Sequence, residues 1–213
     1  GNSQTQSGVV TASTTGTVNI VAGTVSDSSL TLTGNSIKSV AQANSASNDL
    51  TLKVTQQNGI SAGLSSRQDN DGAVVATTSP AGGAFSISTA GLTNASVTVS
   101  GNTVSAVAGK NEAFNTLTVS GANLLGRGET AVTGSVAGTS SVTGAAFAVM
   151  NEQAATSSVA ATVDAGASGL STSGAFNGGT VTISGNTVLA SANANTAGNT
   201  LTLAATNTLE ASG

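Results

Sequence analysis

The chain has no cysteine, no histidine, no tryptophan and no tyrosine. Without cysteine no disulfide can hold the fold, so packing and hydrogen bonds must do so. Cysteine and histidine are also the usual nucleophile, general base and zinc ligands, and that chemistry is absent with them. Aromatic residues make up 2% of the chain, all of them Phe. Nucleobases and sugar rings therefore have almost nothing to stack on. The five Lys and Arg are scattered and form no basic stripe, so nucleic acid is not an expected partner. No apolar run reaches the roughly 18 residues of a membrane-spanning helix, so membrane insertion is not expected either. Charged residues are 7% of the total, against about 25% in ordinary domains. The single proline, Pro80, lies mid-chain. Absence of cysteine fits an exported bacterial or viral protein.

What is present is small and polar. Hydrophobic residues are 38% of the 213 residues, and most are Ala and Val. A wide globular interior needs large side chains; a thin, regular one does not. Polarity comes from Ser, Thr, Asn and Gly, in a chain of net charge −4. The segments Ser29–Gly34, Ser96–Gly101 and Thr180–Gly185 read SLTLTG, SVTVSG and TVTISG. They alternate apolar and hydroxyl residues with period two, as a half-buried strand requires. The Ala-rich stretch Gly144–Ala155 is the longest helix-compatible one, but it overlaps a motif that reads as strand.

One motif occurs three times with the same internal spacing: Gly34–Leu52, Gly101–Val119 and Gly185–Leu203. Each copy begins Gly-Asn, repeats Asn at +9 and +13 from the first Asn, and has Ala at +6 and +11, Leu at +15 and an aliphatic at +17. The Asn sets are Asn35, Asn44 and Asn48; Asn102, Asn111 and Asn115; and Asn186, Asn195 and Asn199. These nine are nearly half of nineteen Asn, so composition alone does not account for them. A weaker motif precedes each copy. Gln4, Gly8, Val10 and Ala12 correspond to Gln68, Gly72, Val74 and Ala76, and to Gln153, Ser157, Val159 and Ala161.

The chain thus divides into three modules, roughly 1–65, 66–149 and 150–213, the second carrying an insertion at about 122–149. Its ends lie close to module boundaries, and residue 1 is Gly, which reads as a mature chain freed of an export signal or as a trimmed fragment. A fixed-offset repeat predicts one supersecondary unit copied and stacked. The expected fold is all-β, a repeat β-solenoid, with a repetitive β-sandwich as the alternative. In the solenoid, in-register Asn would form amide ladders; in the sandwich they would be turn formers. Each module is expected to hold about three coils of roughly 20 residues, making a rod on the order of 50 Å long.

In these motifs the chain resembles secreted bacterial β-strand repeat proteins, in particular the curlin repeats of extracellular amyloid-like fibres. Curlin repeats are shorter and carry regular Gln and aromatic positions not found here, so the likeness lies in repeat style. It implies an extracellular fibre, a surface-layer component or a phage fibre, and it brings no catalytic residue.

Nine acids remain: Asp27, Asp49, Asp69, Asp71, Glu112, Glu129, Glu152, Asp164 and Glu210. None forms a pair that recurs across modules, so no enzyme and no cofactor are expected. The best ion candidate is Asp69 with Asp71, in the tract Asp69-Asn70-Asp71-Gly72, whose alternating oxygens before Gly suit Ca²⁺; a plain polar turn is the simpler reading. Arg127 and Glu129 make a locally charged stretch in the insertion. The leading expectation is a secreted structural protein, extracellular or on the cell surface. It would join copies of itself head to tail, the end near Ser212 meeting the start near Gly1. The alternative is a rigid spacer of an adhesin or phage tail fibre, with a surface ligand bound at the insertion.

Overall fold

The computed structural model describes all residues except 56, 135, 137–139, 167, 212 and 213. Among the described residues every regular element is a strand. The first layer comprises β1 (Asn2–Gln6), β2 (Val10–Thr14), β3 (Val18–Ser26), β4 (Ser29–Thr33), β5 (Ser36–Val54) and β6 (Gln57–Ile60). The second comprises β7 (Ala62–Asn70), β8 (Val74–Thr78), β9 (Phe85–Thr93), β10 (Ser96–Ser100) and β11 (Thr103–Gly126). A hairpin, β12 (Thr130–Gly134) and β13 (Ser140–Ala145), leads on from it. The third comprises β14 (Phe147–Ala155), β15 (Val159–Val163), β16 (Gly169–Thr172), β17 (Phe176–Asn177), β18 (Thr180–Ser184) and β19 (Thr187–Ala211).

Each strand pairs in parallel with its counterpart one layer away: β1-β7-β14, β2-β8-β15, β4-β10-β18 and β5-β11-β19, with β3 and both β16 and β17 against β9. This is an all-β repeat solenoid, and its second layer is sandwiched between the other two. The only antiparallel pair among the described residues is β12 with β13, so the sandwich of hairpins does not form.

The coil is much larger than the spacing of strands suggests. Asn44 sits over Asn111, 67 residues on, and Asn111 over Asn195, 84 residues on. One whole module is therefore one turn. The expectation of about three coils of roughly 20 residues in each module, and of a rod on the order of 50 Å, is wrong. At about 4.8 Å per layer the three layers span only on the order of 10–15 Å. The reason is that each layer folds back on itself and packs sheet against sheet, instead of stacking strand upon strand within a module.

That fold-back encloses three apolar cores. Phe85, Ile87, Leu92, Val97 and Val99 fill the first, between the β9 and β10 sheets. Val74, Ala76, Ala106 and Ala108 fill a narrow second one, between β8 and the start of β11. Ala62, Leu117, Val119 and Leu124 fill the third, between β7 and the end of β11. Small residues suffice because facing strands approach closely. Between layers the approach is closest at Gly72, where an added Cβ would lie 1.8 Å from the Gly8 carbonyl oxygen of the layer beneath. The Gly-Asn corners need glycine for another reason: Gly34, Gly101 and Gly185 have φ of 68°, 63° and 62°, a region costly for other residues.

The Ala-rich stretch expected as strand or helix forms β14. Of the insertion, residues up to Gly126 extend β11, where Leu124 pairs with Gln57 and Leu209. The excess proper is the hairpin. Its Val132 and Val142 pack on Ala148 and Met150, on the outer side of β14. Part of the hairpin turn lies outside the described residues.

Candidate functional site: the amide ladders and the end faces

The nine repeated Asn form three columns, one residue per layer. In the Asn44 column, Asn44 Nδ2 donates to Asn111 Oδ1 at 2.9 Å, and Asn111 Nδ2 to Asn195 Oδ1 at 2.9 Å. In the Asn48 column, Asn48 Nδ2 donates to Asn115 Oδ1 at 2.7 Å and Asn115 Nδ2 to Asn199 Oδ1 at 3.2 Å. At the Gly-Asn corner, Asn35 Nδ2 donates to Asn102 Oδ1 at 3.0 Å and Asn102 Nδ2 to Asn186 Oδ1 at 2.9 Å. All three columns donate from the first layer toward the third.

In three of these amides the second hydrogen goes to a backbone carbonyl on the facing sheet. Asn44 Nδ2 reaches Asp69 O at 3.0 Å, Asn111 Nδ2 reaches Ala154 O at 2.6 Å, and Asn115 Nδ2 reaches Met150 O at 3.0 Å. A carbonyl only accepts, so the nitrogen of each amide must face it. This sets the direction of the ladders. It also ties β5 to β7 and β11 to β14 through the polar strip between the second and third cores.

A fourth ladder runs the other way. Gln153 Nε2 donates to Gln68 Oε1 at 2.8 Å, and Gln68 Nε2 to Gln4 Oε1 at 2.6 Å. Their second hydrogens go to Thr196 O, Glu112 O and, from Gln4, Ser45 O. Sequence reading marks these three Gln as a recurring motif but does not place them among the ladder residues. Their equal place in each module is the signal that points to them.

Lys110 was not foreseen at all. It is wholly buried, and its Nζ donates to Ser157 O at 2.6 Å and Ser157 Oγ at 2.8 Å. Burial pushes its pKa below the ordinary lysine value, and the carboxylate of Asp71 partly opposes that. The bonds fasten the second layer to the β14–β15 corner of the third.

Asp69 contributes its backbone carbonyl to Asn44, and Asp71 Oδ1 accepts from the Thr156 hydroxyl at 2.7 Å. No group of three or more acidic side chains gathers among the described residues. Arg127 lies at the stem of the hairpin, its side chain over Gly59, where an added Cβ would be 2.9 Å from Arg127 Cδ. Glu129 N donates to Arg127 O at 2.8 Å, closing a tight turn.

The two end faces differ in composition. Val97, Val99 and Leu117 of the second layer are at most 1% exposed. Their in-register counterparts in the third, Val181, Ile183 and Leu201, are 41%, 49% and 45% exposed. The third layer also offers a 25-residue open edge, β19. Charge and proline usually blunt such an edge, yet neither occurs anywhere from Ala165 to Leu209. The first-layer edge carries Lys38, Asp49 and Lys53. The chain matches no family model, no curated protein and no solved structure when compared with known proteins.

Proposed function

We propose that the chain is an extracellular structural subunit that stacks head to tail on copies of itself, building a filament or surface matrix. One observation carries this reading: the third layer bares apolar columns that the layer beneath buries, along an edge with no charge or proline from Ala165 to Leu209. Covering a half-exposed Val, Ile or Leu contributes on the order of 1 kcal/mol. The four residues Val181, Ile183, Val188 and Leu201 together supply about 4 kcal/mol. Backbone pairing along β19 and β18 adds to that, as in strand addition. First and third layers are different surfaces, so the contact is heterologous and repeats without closing unless it turns into a ring. The likeness to curlin repeats agrees with a secreted fibre.

A second reading is a rigid spacer within an adhesin or phage fibre. It is favoured by the hairpin, which adds a lateral surface: a groove of about 480 Å³ between Gly1, Gly63 and Ser65 on one side and Thr130–Thr133 on the other. Negative-stain electron microscopy at high and low concentration separates the two. Uniform filaments that lengthen with concentration are expected; isolated short particles at every concentration would refute the stacking subunit and favour the spacer.

A further inference from the structure

Resting on that stacking reading, we propose that the join is polar and confined to one register. The third-layer face binds the first-layer face of a second copy through unspent amide hydrogen bonds, and never binds another third-layer face.

Inside the molecule the joint between layers is already built twice. Asn44 spends both Nδ2 hydrogens on the second layer, on Asn111 Oδ1 and Asp69 O. Asn111 spends both on the third, on Asn195 Oδ1 and Ala154 O. Asn195 has no layer above it, and its Nδ2 has no acceptor among the described residues. Thr5 occupies in the first layer the place that Asp69 and Ala154 hold in the others. Continued by one layer, the register sets Asn195 Nδ2 against Asn44 Oδ1 and Thr5 O of the incoming copy. These are the same two kinds of acceptor as before.

The glutamine column supplies the complement. Gln4 donates one hydrogen to Ser45 O and keeps the other, while Gln153 Oε1 accepts nothing among the described residues. The same register brings these two together, with the incoming copy now donating. Opposed ladders thus leave one face with Asn donors and a Gln acceptor, and the other with the reverse. Joining two third-layer faces sets Asn donors against Asn donors. It also reverses the strands, so the columns no longer align.

Two complementary variants test this. V181K with I183K charges the third-layer face; Leu30→Lys charges the first-layer face. Val10→Lys replaces Leu30→Lys if the latter loses its β-sheet circular dichroism. Sedimentation velocity is run on wild type, each variant and their equimolar mixture. The expected result is oligomers for wild type, monomer for each variant alone, and a species of twice the monomer mass, with nothing longer, for the mixture. Dimers from either variant alone would mean that like faces join, overturning polarity while leaving stacking intact. A mixture that stays monomeric while wild type assembles would overturn the proposed joint. Wild type that stays monomeric throughout would instead refute the stacking reading beneath it.

Discussion

Replacing Asn111 by Ala tests whether the ladders hold the fold. Asn111 is 2% exposed and takes part in three hydrogen bonds: it accepts from Asn44, and donates to Asn195 and to Ala154 O. At about 1 kcal/mol net each, losing them costs about 3 kcal/mol. Asn195→Ala removes one accepted bond at an exposed end, for about 1 kcal/mol. Asn44→Ala removes two donated bonds and falls between, near 2 kcal/mol. The expected order is therefore Asn111, then Asn44, then Asn195. For a chain of this length about 3 kcal/mol lowers the melting temperature by on the order of 10 °C. Urea unfolding followed by circular dichroism, dilute enough to keep the chain monomeric, gives the three values. Turn-forming Asn on a surface would cost little, and equally, at all three positions. Equal losses below about 1 kcal/mol would refute the ladder argument. The combined replacement of Asn44, Asn111 and Asn195 should destabilise the chain most.

Other outcomes follow from the corners and from the buried lysine. Gly72→Ala forces a Cβ onto the Gly8 carbonyl and should cost about 1–3 kcal/mol in the same assay, whereas Gly16→Ala, with nothing within 4 Å, should be near neutral. Lys110 has its folded pKa below its unfolded one, so the folded state disfavours the charged form. Its penalty is present in full below the folded pKa and is relieved as pH rises from there toward the ordinary lysine value. Thermal melts should show this alkaline gain in wild type and a smaller one in Lys110→Met. Identical pH slopes would show that the lysine is not desolvated. With no Cys or Tyr in the chain, few other groups titrate in that range.

Much of the fold can be read from sequence because the repeat is written in side chains that suit a stacked fold, although turn-forming Asn of a sandwich would leave the same spacing. Period-two runs such as SVTVSG mark strands, and Asn at fixed offsets marks columns, since amides satisfy one another only in register. Coil size cannot be read in this way. A strand of five residues, such as β4 or β10, looks the same whether it pairs with a neighbour 20 residues off or with one 67 residues off. Lys110 gives no sequence signal either. Its column holds Ala43 and Ala194 in the other layers, and only the approach of the β14–β15 corner provides its acceptors.

The residue pattern alone therefore indicates a β chain of three equivalent units, because local periodicity and a fixed-offset repeat are read directly from the residues, but it leaves stacked coils and a sandwich both open. The tertiary structure decides that each unit is a single turn folded back around three cores, and which way each ladder points. Those depend on which strands face each other across the interior and on which backbone carbonyl lies opposite each amide, and both are contacts between residues far apart in the chain.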